Sequence, residues 1–265
     1  MERYWELTDA QIRNPLQQRF NVAPTTVVPI VYRSEHGLEQ NAAHWSLIPF
    51  WWKQPKPPAF TFNTRIEEAA TKPMLRVPLR EARCIVPAMG WYEWKEVEQT
   101  DPATGEIRTV KQPYFIHPSE NHLVTFAGLM SSSFAANGID MELSCAILTK
   151  EAEGPAERVH SRMPVVLAET AHQAWLDPEK TDAGKALEMT RRSVSQVEYR
   201  LVSTQVNYSK NGGAELLEPF ENPAWFRTYL DYFLFPLRSY LTMKISLLPA
   251  DVFPSRVKLS VDPVT

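Results

Sequence analysis

The stretch Gly90–Trp94 reads Gly-Trp-Tyr-Glu-Trp and places one carboxylate among large aromatic rings. It follows the short apolar run Cys84–Val86, and the two together predict β-structure. Side chains alternate along a strand, so Trp91 and Glu93 are expected on one face and their neighbours on the other. A carboxylate beside an indole loses hydration, which raises its pKa toward the range of a general acid or base. An exposed strand glutamate flanked by core aromatics is the alternative interpretation.

Asn63 and Arg65 lie two positions apart in a run that alternates with period two. A strand would turn both side chains the same way, and a neutral amide beside a forked guanidinium suits a sugar-phosphate or a carboxylate. A surface ion pair of Arg65 with Glu67 or Glu68 explains these residues equally well.

Two further groups of residues are candidates for a polar cleft. Trp51 and Trp52 are adjacent, and two adjacent indoles cannot both point inward from a strand, so one is expected to be exposed as a stacking ring for bases. His160 stands two residues before Arg162 and ahead of a proline, which favours a cleft position for its imidazole. Core packing of both indoles and a structural histidine remain the alternatives.

Composition excludes several classes of function. Among 265 residues there are 9 glycines and 22 prolines, and no glycine-rich dinucleotide or P-loop motif occurs. The formal net charge is −3, so any nucleic-acid binding must come from a local groove. Cys84 and Cys145 lack the spacing of a disulfide scaffold or a zinc site. We therefore expect no metal, no cofactor and a reduced, cytoplasmic compartment; no signal peptide or membrane-spanning run is recognised.

Strand-like segments dominate the chain, with few helices between them. This order predicts an α+β fold with a mainly antiparallel sheet system. The composition changes after Asn222-Pro223, where aromatic residues become frequent. We predict one domain over residues 1–221 and a C-terminal extension of unknown role over residues 222–265.

Several separated motifs, taken in order, are similar to those of the SOS-response-associated peptidase (SRAP) family. The motifs are Arg19-Phe20-Asn21-Val22-Ala23-Pro24-Thr25, Trp45 to Pro49 with Trp51-Trp52, Asn63-Thr64-Arg65-Ile66-Glu67, Gly90 to Trp94, Thr149, His160-Ser161-Arg162-Met163-Pro164 and Asn211-Gly212-Gly213-Ala214-Glu215-Leu216. The resemblance covers roughly residues 3–220. It implies an SRAP-like fold, with antiparallel sheets packed into a barrel-like core and peripheral helices.

The resemblance also implies a function: recognition of abasic sites in single-stranded DNA and their covalent capture in the DNA damage response. In the family an N-terminal Cys attacks the ring-opened sugar and closes a thiazolidine. Carried over by motif, Glu93 would act as acid or base, Asn63 would orient the sugar and His160 would assist proton transfer. The residues implied to line the DNA groove are Asn21, Pro24, Trp51, Trp52, Arg65, Thr149 and Arg162. A monomer without cofactor is expected.

The sequence departs from the family at its beginning. Family members begin Met-Cys-Gly-Arg, whereas this sequence begins Met-Glu-Arg-Tyr. We expect the first strand and its nucleophile to be missing, and neither Cys84 nor Cys145 can replace an N-terminal amine and thiol. Two alternatives follow: a non-catalytic module that binds single-stranded DNA or its lesions, and a peptidase, as the family's name suggests.

Overall fold

Two β-sheets and a layer of short helices form the fold. The computed structural model describes residues 7, 11–54, 61–101, 104–119, 123–134, 141–191, 196–220 and 243–247. The strands are β1 (Val27–Ser34), β2 (Gly37–Trp45), β3 (Asn63–Arg65), β4 (Arg83–Ala88), β5 (Gly90–Thr100), β6 (Ile107–Pro118), β7 (Val124–Phe134), β8 (Met141–Glu151), β9 (Arg162–Pro164), β10 (Val197–Leu201) and β11 (Lys244–Ser246). The α-helices are α1 (Ile66–Ala69), α2 (Pro73–Glu81), α3 (His172–Leu176) and α4 (Ala183–Arg191). Short 3-10 helices cover Gly154–Arg158, Glu169–Ala171, Thr204–Asn207 and Ala214–Leu217.

The larger sheet, here called the barrel sheet, has the strand order β2-β1-β4-β7-β8-β3, with β9 also paired to β8. A parallel contact between β2 and β8 joins strands from opposite parts of this order, with His44 next to Ser144 and Trp45 next to Cys145. The contact closes β2, β1, β4, β7 and β8 into a ring, which agrees with the barrel-like core implied by the sequence motifs.

The smaller sheet, here called the open sheet, has the order β10-β6-β5-β11. Its central hairpin pairs β5 with β6 from Trp91 opposite Ile116 to Thr100 opposite Ile107. The turn between the two strands includes Gly105, whose φ of +71° lies in the left-handed region that glycine adopts without strain. The two strands therefore continue well into the polar stretch of residues 96–112.

The core has three parts, divided by the two sheets. One face of the barrel sheet packs on the open sheet through residues such as Trp91 and Phe126, whose rings meet edge to face at 5.8 Å. Its other face packs on the helices, including Leu79 of α2 and Trp175 of α3. A third cluster around Tyr92 covers the outer face of the open sheet. The alternation that the sequence predicts along β5 is confirmed.

Part of the predicted C-terminal extension contributes to the fold. Of residues 222–265, the described segment is 243–247; the rest lies outside the described residues. Within it β11 pairs antiparallel with β5, and Ile245 exchanges backbone hydrogen bonds with Val22. Met243, Ile245 and Leu247 are buried in the core between the two sheets. Among the helices of the described part, none is long and apolar enough to cross a membrane.

Candidate functional site

Glu93 lies in the first half of β5, after a glycine that the packing requires. A Cβ on Gly90 would stand 2.3 Å from the carbonyl oxygen of Ile116 and 2.6 Å from the ring of Phe115. No real side chain tolerates that distance to a backbone atom, so glycine allows β5 to approach β6 here. The hairpin then directs Glu93 toward the interior, between the two sheets.

The Glu93 carboxylate is buried, with 2% of the residue exposed. Burial raises its pKa well above the ordinary value of 4.5. Its Oε1 atom has no hydrogen-bond partner among the described residues. The interpretation of Glu93 as an exposed strand residue is therefore wrong, because the side chain faces the core rather than solvent. A buried carboxyl with a raised pKa can hold a proton near neutral pH and transfer it to a bound substrate.

Two neighbouring strands frame the carboxylate. Tyr114 lies directly opposite Glu93 on β6, and burial raises the pKa of this phenol to about 12. On the other side Lys244 pairs with Tyr92, so one further step of the antiparallel register places Met243 beside Glu93. The fully buried Met243 thus shields this side of the carboxylate from water.

Asn63 and Arg65 stand on β3, at one end of the strand order of the barrel sheet. The parallel pairing with β8 sets Asn63 next to Ile147 and Arg65 next to Thr149. Both polar atoms of the Asn63 amide are buried without a hydrogen-bond partner among the described residues. Arg65 is exposed. The Thr149 side chain is buried, and its hydroxyl donates to the carbonyl oxygen of Thr64 at 3.3 Å.

Arg162 begins β9, which pairs with β8 on the same side of the barrel sheet. Its terminal nitrogens donate to the two oxygens of Glu67 at 2.9 and 3.0 Å, and Nη2 also donates to the carbonyl oxygen of Thr149 at 2.8 Å. Glu68 instead pairs with Lys72. The suggested ion pair of Arg65 with Glu67 or Glu68 is therefore wrong: both carboxylates have other cationic partners within the described residues.

His160 is held by the backbone of Arg162. Nδ1 of His160 lies 3.0 Å from the Arg162 backbone nitrogen and 3.2 Å from the Arg162 carbonyl oxygen, so it accepts from the first in one neutral tautomer and donates to the second in the other. Burial lowers the pKa of His160 below 6.5; the Arg162 carbonyl opposes this shift, and the Arg162 charge adds to it. The lowered pKa favours the neutral imidazole, whose Nε2 is the ring nitrogen that the Arg162 backbone does not hold.

Trp51 and Trp52 follow β2 in a short loop. Trp51 is 49% exposed and its neighbour Phe50 is 59% exposed, whereas Trp52 is partly buried. The two indoles meet edge to face at 6.1 Å. One indole of the pair therefore presents its ring to solvent, in the manner of a stacking surface for a base.

Asn21 and Pro24 lie in the segment that leads into β1. Asn21 is buried, and its Nδ2 donates to the carbonyl oxygens of Val206, Tyr208 and Asn211 at 2.9–3.1 Å. Asn21 thereby ties residues 206–211 to the segment that pairs with β11. Pro24 is partly buried beside this segment.

The structure brings five of the predicted residues to one side of the barrel sheet, and Glu93 faces them from the open sheet. Asn63, Arg65, Thr149, His160 and Arg162 share the β3-β8-β9 side of the barrel sheet, and Glu93 faces the same core from the open sheet. Trp91, two positions before Glu93 on the same face of β5, and Val159, next to His160, belong to that core, and Phe62, next to Asn63, packs against it. Among the described residues, no hydrogen bond joins Asn63, Glu93 and His160 directly, and the three side chains come from separate segments of the chain.

The cysteine side chains lie away from solvent. Cys84 and Cys145 are fully buried free thiols, and burial raises the pKa of each well above the ordinary value of 9.0. A buried thiol with a raised pKa is a poor nucleophile. Across the described residues, no group of three or more His, Cys, Asp or Glu side chains is arranged to hold a metal ion.

Two contacts at the site were missed from the sequence. The sequence suggests Glu67 only as a partner of Arg65, because nothing in the spacing links it to Arg162, 95 positions away. Met243 lies in the predicted extension, although the alternation of apolar residues at 243, 245 and 247 is a signal for a strand with one buried face.

Comparison with known proteins gives one consistent family. The family model described as SOS response associated peptidase (SRAP) matches residues 1–209. The abasic site processing protein YoqW of Bacillus subtilis (strain 168) is 32% identical over 200 residues, covering 75% of this chain and 85% of that protein. The abasic site processing protein HMCES of Pongo abelii is 30% identical over 206 residues, covering 67% and 56%. A crystal structure of a Bacteroides thetaiotaomicron protein shares the fold, with a TM-score of 0.59, 22% identity and coverage of 74% and 82%. This chain belongs to the SRAP family.

Proposed function

We propose that this protein takes part in abasic site processing by binding the lesion in single-stranded DNA. The observation that carries the proposal is the buried Glu93 carboxyl, whose raised pKa suits it to protonate or deprotonate the abasic sugar. The family relationship and the names of the relatives support the substrate class. Asn63, with two buried polar atoms lacking partners in the described structure, would hydrogen-bond the sugar and so fix its orientation.

The remaining residues divide between proton transfer and DNA binding. His160, whose Nδ1 is held by the Arg162 backbone, would assist proton transfer at the sugar through Nε2. Arg65 and Arg162 would bind phosphates, and Trp51 would stack on a base. Asn21, Pro24, Thr149 and Trp52 would support the groove from behind: the first and third donate to backbone carbonyl oxygens, and the other two are partly buried.

A covalent step through either cysteine of this sequence is not part of the proposal. Cys84 and Cys145 are buried in the core, and both thiol pKa values are raised by that burial. The same burial argues against a cysteine peptidase that uses one of these thiols. We therefore propose recognition and acid–base handling of the lesion, without a thiazolidine formed by Cys84 or Cys145.

The test compares an abasic single-stranded oligonucleotide with its intact counterpart. We expect fluorescence anisotropy to show tighter binding of the abasic strand, and Asn63→Ala to remove this preference. Arg65→Ala should weaken binding to both strands, whereas Arg108→Ala should not, because Arg108 pairs with Glu106 in the distant β5–β6 turn. Denaturing gels with intact mass should show no heat-stable adduct on a cysteine. Equal affinity for both oligonucleotides would contradict lesion recognition, and an adduct on Cys84 or Cys145 would contradict the non-covalent mechanism.

A further inference from the structure

Arg162 is occupied by protein groups in the structure. Both terminal nitrogens face Glu67, and Nη2 also faces the Thr149 carbonyl oxygen. The Nε atom is buried and has no hydrogen-bond partner among the described residues. A phosphate that binds a guanidinium end-on uses the same pair of terminal nitrogens. Such a phosphate and the Glu67 carboxylate therefore compete for one position on Arg162.

The exposures of the two side chains show which one moves more easily. The Arg162 side chain is 12% exposed and is anchored to Thr149, while the Glu67 side chain is 51% exposed. Glu67 stands in the first turn of the four-residue helix α1. It can leave toward solvent without disturbing the core, whereas Arg162 is fixed from behind. A phosphate can displace the carboxylate because it offers the guanidinium the same two-point contact, and the released Glu67 side chain regains its hydration in solvent.

We propose that Glu67 is a latch on Arg162: it holds the guanidinium in its DNA-facing position in the free protein and must be displaced when a DNA phosphate binds. This inference rests on the proposed function, because it assigns Arg162 to phosphate binding. It makes Glu67 a positioning residue that lowers affinity for DNA while it keeps the site ordered. In the free protein the Glu67 carboxylate occupies the position on Arg162 that a DNA phosphate would take.

The latch has a matched control one residue away. Glu68 lies on the same short helix and carries the same charge, but it pairs with Lys72. A general gain in affinity from removing negative charge would be nearly equal for Glu67→Gln and Glu68→Gln. A gain that depends on the Arg162 contact would be confined to Glu67→Gln.

The experiment measures binding of the abasic oligonucleotide by wild type, Glu67→Gln, Glu68→Gln, Arg162→Ala and the double variant Glu67→Gln/Arg162→Ala. We expect Glu67→Gln to tighten binding by about threefold to tenfold and Glu68→Gln to change it by less than about twofold. In the Arg162→Ala background, Glu67→Gln should give no gain. Equal effects of the two glutamate variants, a gain that persists without Arg162, or weaker binding by Glu67→Gln would each overturn the latch.

A measurement without DNA separates the latch from the proposed function. NMR titration should show that the Arg162 hydrogen bond lowers the pKa of Glu67 below 4.5 in wild type, and that Arg162→Ala returns it toward that value. An unshifted Glu67 would show that the pair is not formed in solution, which overturns the latch whatever the DNA result. If the pair is present but neither wild type nor Glu67→Gln binds the oligonucleotide, the proposed function fails, and the inference fails with it.

Discussion

At the scale of single residues, the site combines a carboxyl that is costly to ionise with guanidinium groups that stay charged. Glu93 loses hydration because β5 turns it into the core, and the protonated form is favoured for that reason. Arg162 keeps its charge beside the half-exposed Glu67. The two environments suit two tasks: proton transfer inside the fold and phosphate binding at its surface.

We predict that Glu93→Gln stabilises the fold at neutral and alkaline pH. A carboxyl whose pKa rises on folding favours the folded state only while protonated, so stability is lost as pH rises from about 4.5 toward the folded pKa. Gln carries no charge and avoids that loss. Urea unfolding at pH 8 should show a gain of about 1–3 kcal/mol, which shrinks toward pH 4.

The control for this prediction is Glu98→Gln, which changes an exposed glutamate on the same strand. It should leave the free energy of unfolding within about 0.5 kcal/mol of wild type. If Glu93→Gln were less stable than wild type at pH 8, groups in the folded protein would have to stabilise the ionised Glu93 carboxylate, which would contradict this prediction. The same variant should lose the chemical step proposed for Glu93, so stability and function would change in opposite directions.

At the scale of elements, two strands determine where Glu93 points. Gly90 allows β5 to lie close to β6, and β11 covers the other edge of β5. The charged residue of β11, Lys244, lies opposite Tyr92 and donates from Nζ to the carbonyl oxygen of Val206, so β11 also links β5 to residues 204–207. The barrel sheet contributes through β3, β8 and β9, whose pairing brings Arg65, Thr149 and Arg162 to one side.

Gly90→Ala should destabilise the fold by about 3 kcal/mol, because the new Cβ would clash with the Ile116 carbonyl oxygen and the Phe115 ring. The matched control is Gly212→Ala: no atom lies within 4 Å of a Cβ there and its φ is not positive. Thermal unfolding should show a drop of several degrees for Gly90→Ala and no loss for Gly212→Ala. Equal melting temperatures would mean that β5 and β6 can separate without loss.

Ile245→Ala should cost about 2–5 kcal/mol of unfolding free energy, since Ile245 is fully buried between the two sheets. Val77→Ala, at a partly exposed position of α2, should change it by about 0.5 kcal/mol or less. Denaturant unfolding followed by tryptophan fluorescence measures both variants. If Ile245→Ala were as stable as wild type, β11 would not be a persistent part of the open sheet.

At the scale of the whole molecule, the net charge of −3 gives no general attraction for DNA. The proposed DNA binding would therefore depend on a few cations, chiefly Arg65 and Arg162, placed along one side of the barrel sheet. The closed ring of β1, β2, β4, β7 and β8 supplies a rigid support for them. Rigid placement of few charges favours local recognition over broad electrostatic attachment.

This charge distribution predicts a shallow salt dependence of DNA binding. Two phosphate contacts on single-stranded DNA give a slope of about −1.4 in a plot of log K against log salt. Arg65→Ala should reduce the magnitude of the slope by about 0.7. Anisotropy titrations between low and moderate salt measure it. A slope steeper than about −5 would show that a broad basic surface, rather than these two residues, carries the binding.

The sequence by itself determined the fold class, the family and which side chains of β5 lie on the same face of the sheet. Period-two alternation separates Trp91 and Glu93 from their neighbours, because side chains on a strand alternate between faces. The strand at Asn63 and Arg65 also followed from a local signal, the period-two alternation of the run that contains them. The separated motifs identified the family, because each motif is short but their order along the chain is specific.

Tertiary structure alone decided which charges meet and what covers the carboxylate. Glu67 reaches Arg162 because β3 and β9 both pair with β8, a relation that no local pattern encodes. The burial of Glu93 depends on β6, on β11 and on the barrel sheet together. Its local sequence alone therefore does not distinguish a buried from an exposed side chain. Local rules fix the direction of a side chain relative to its strand, whereas burial and pairing depend on what the rest of the chain places opposite it.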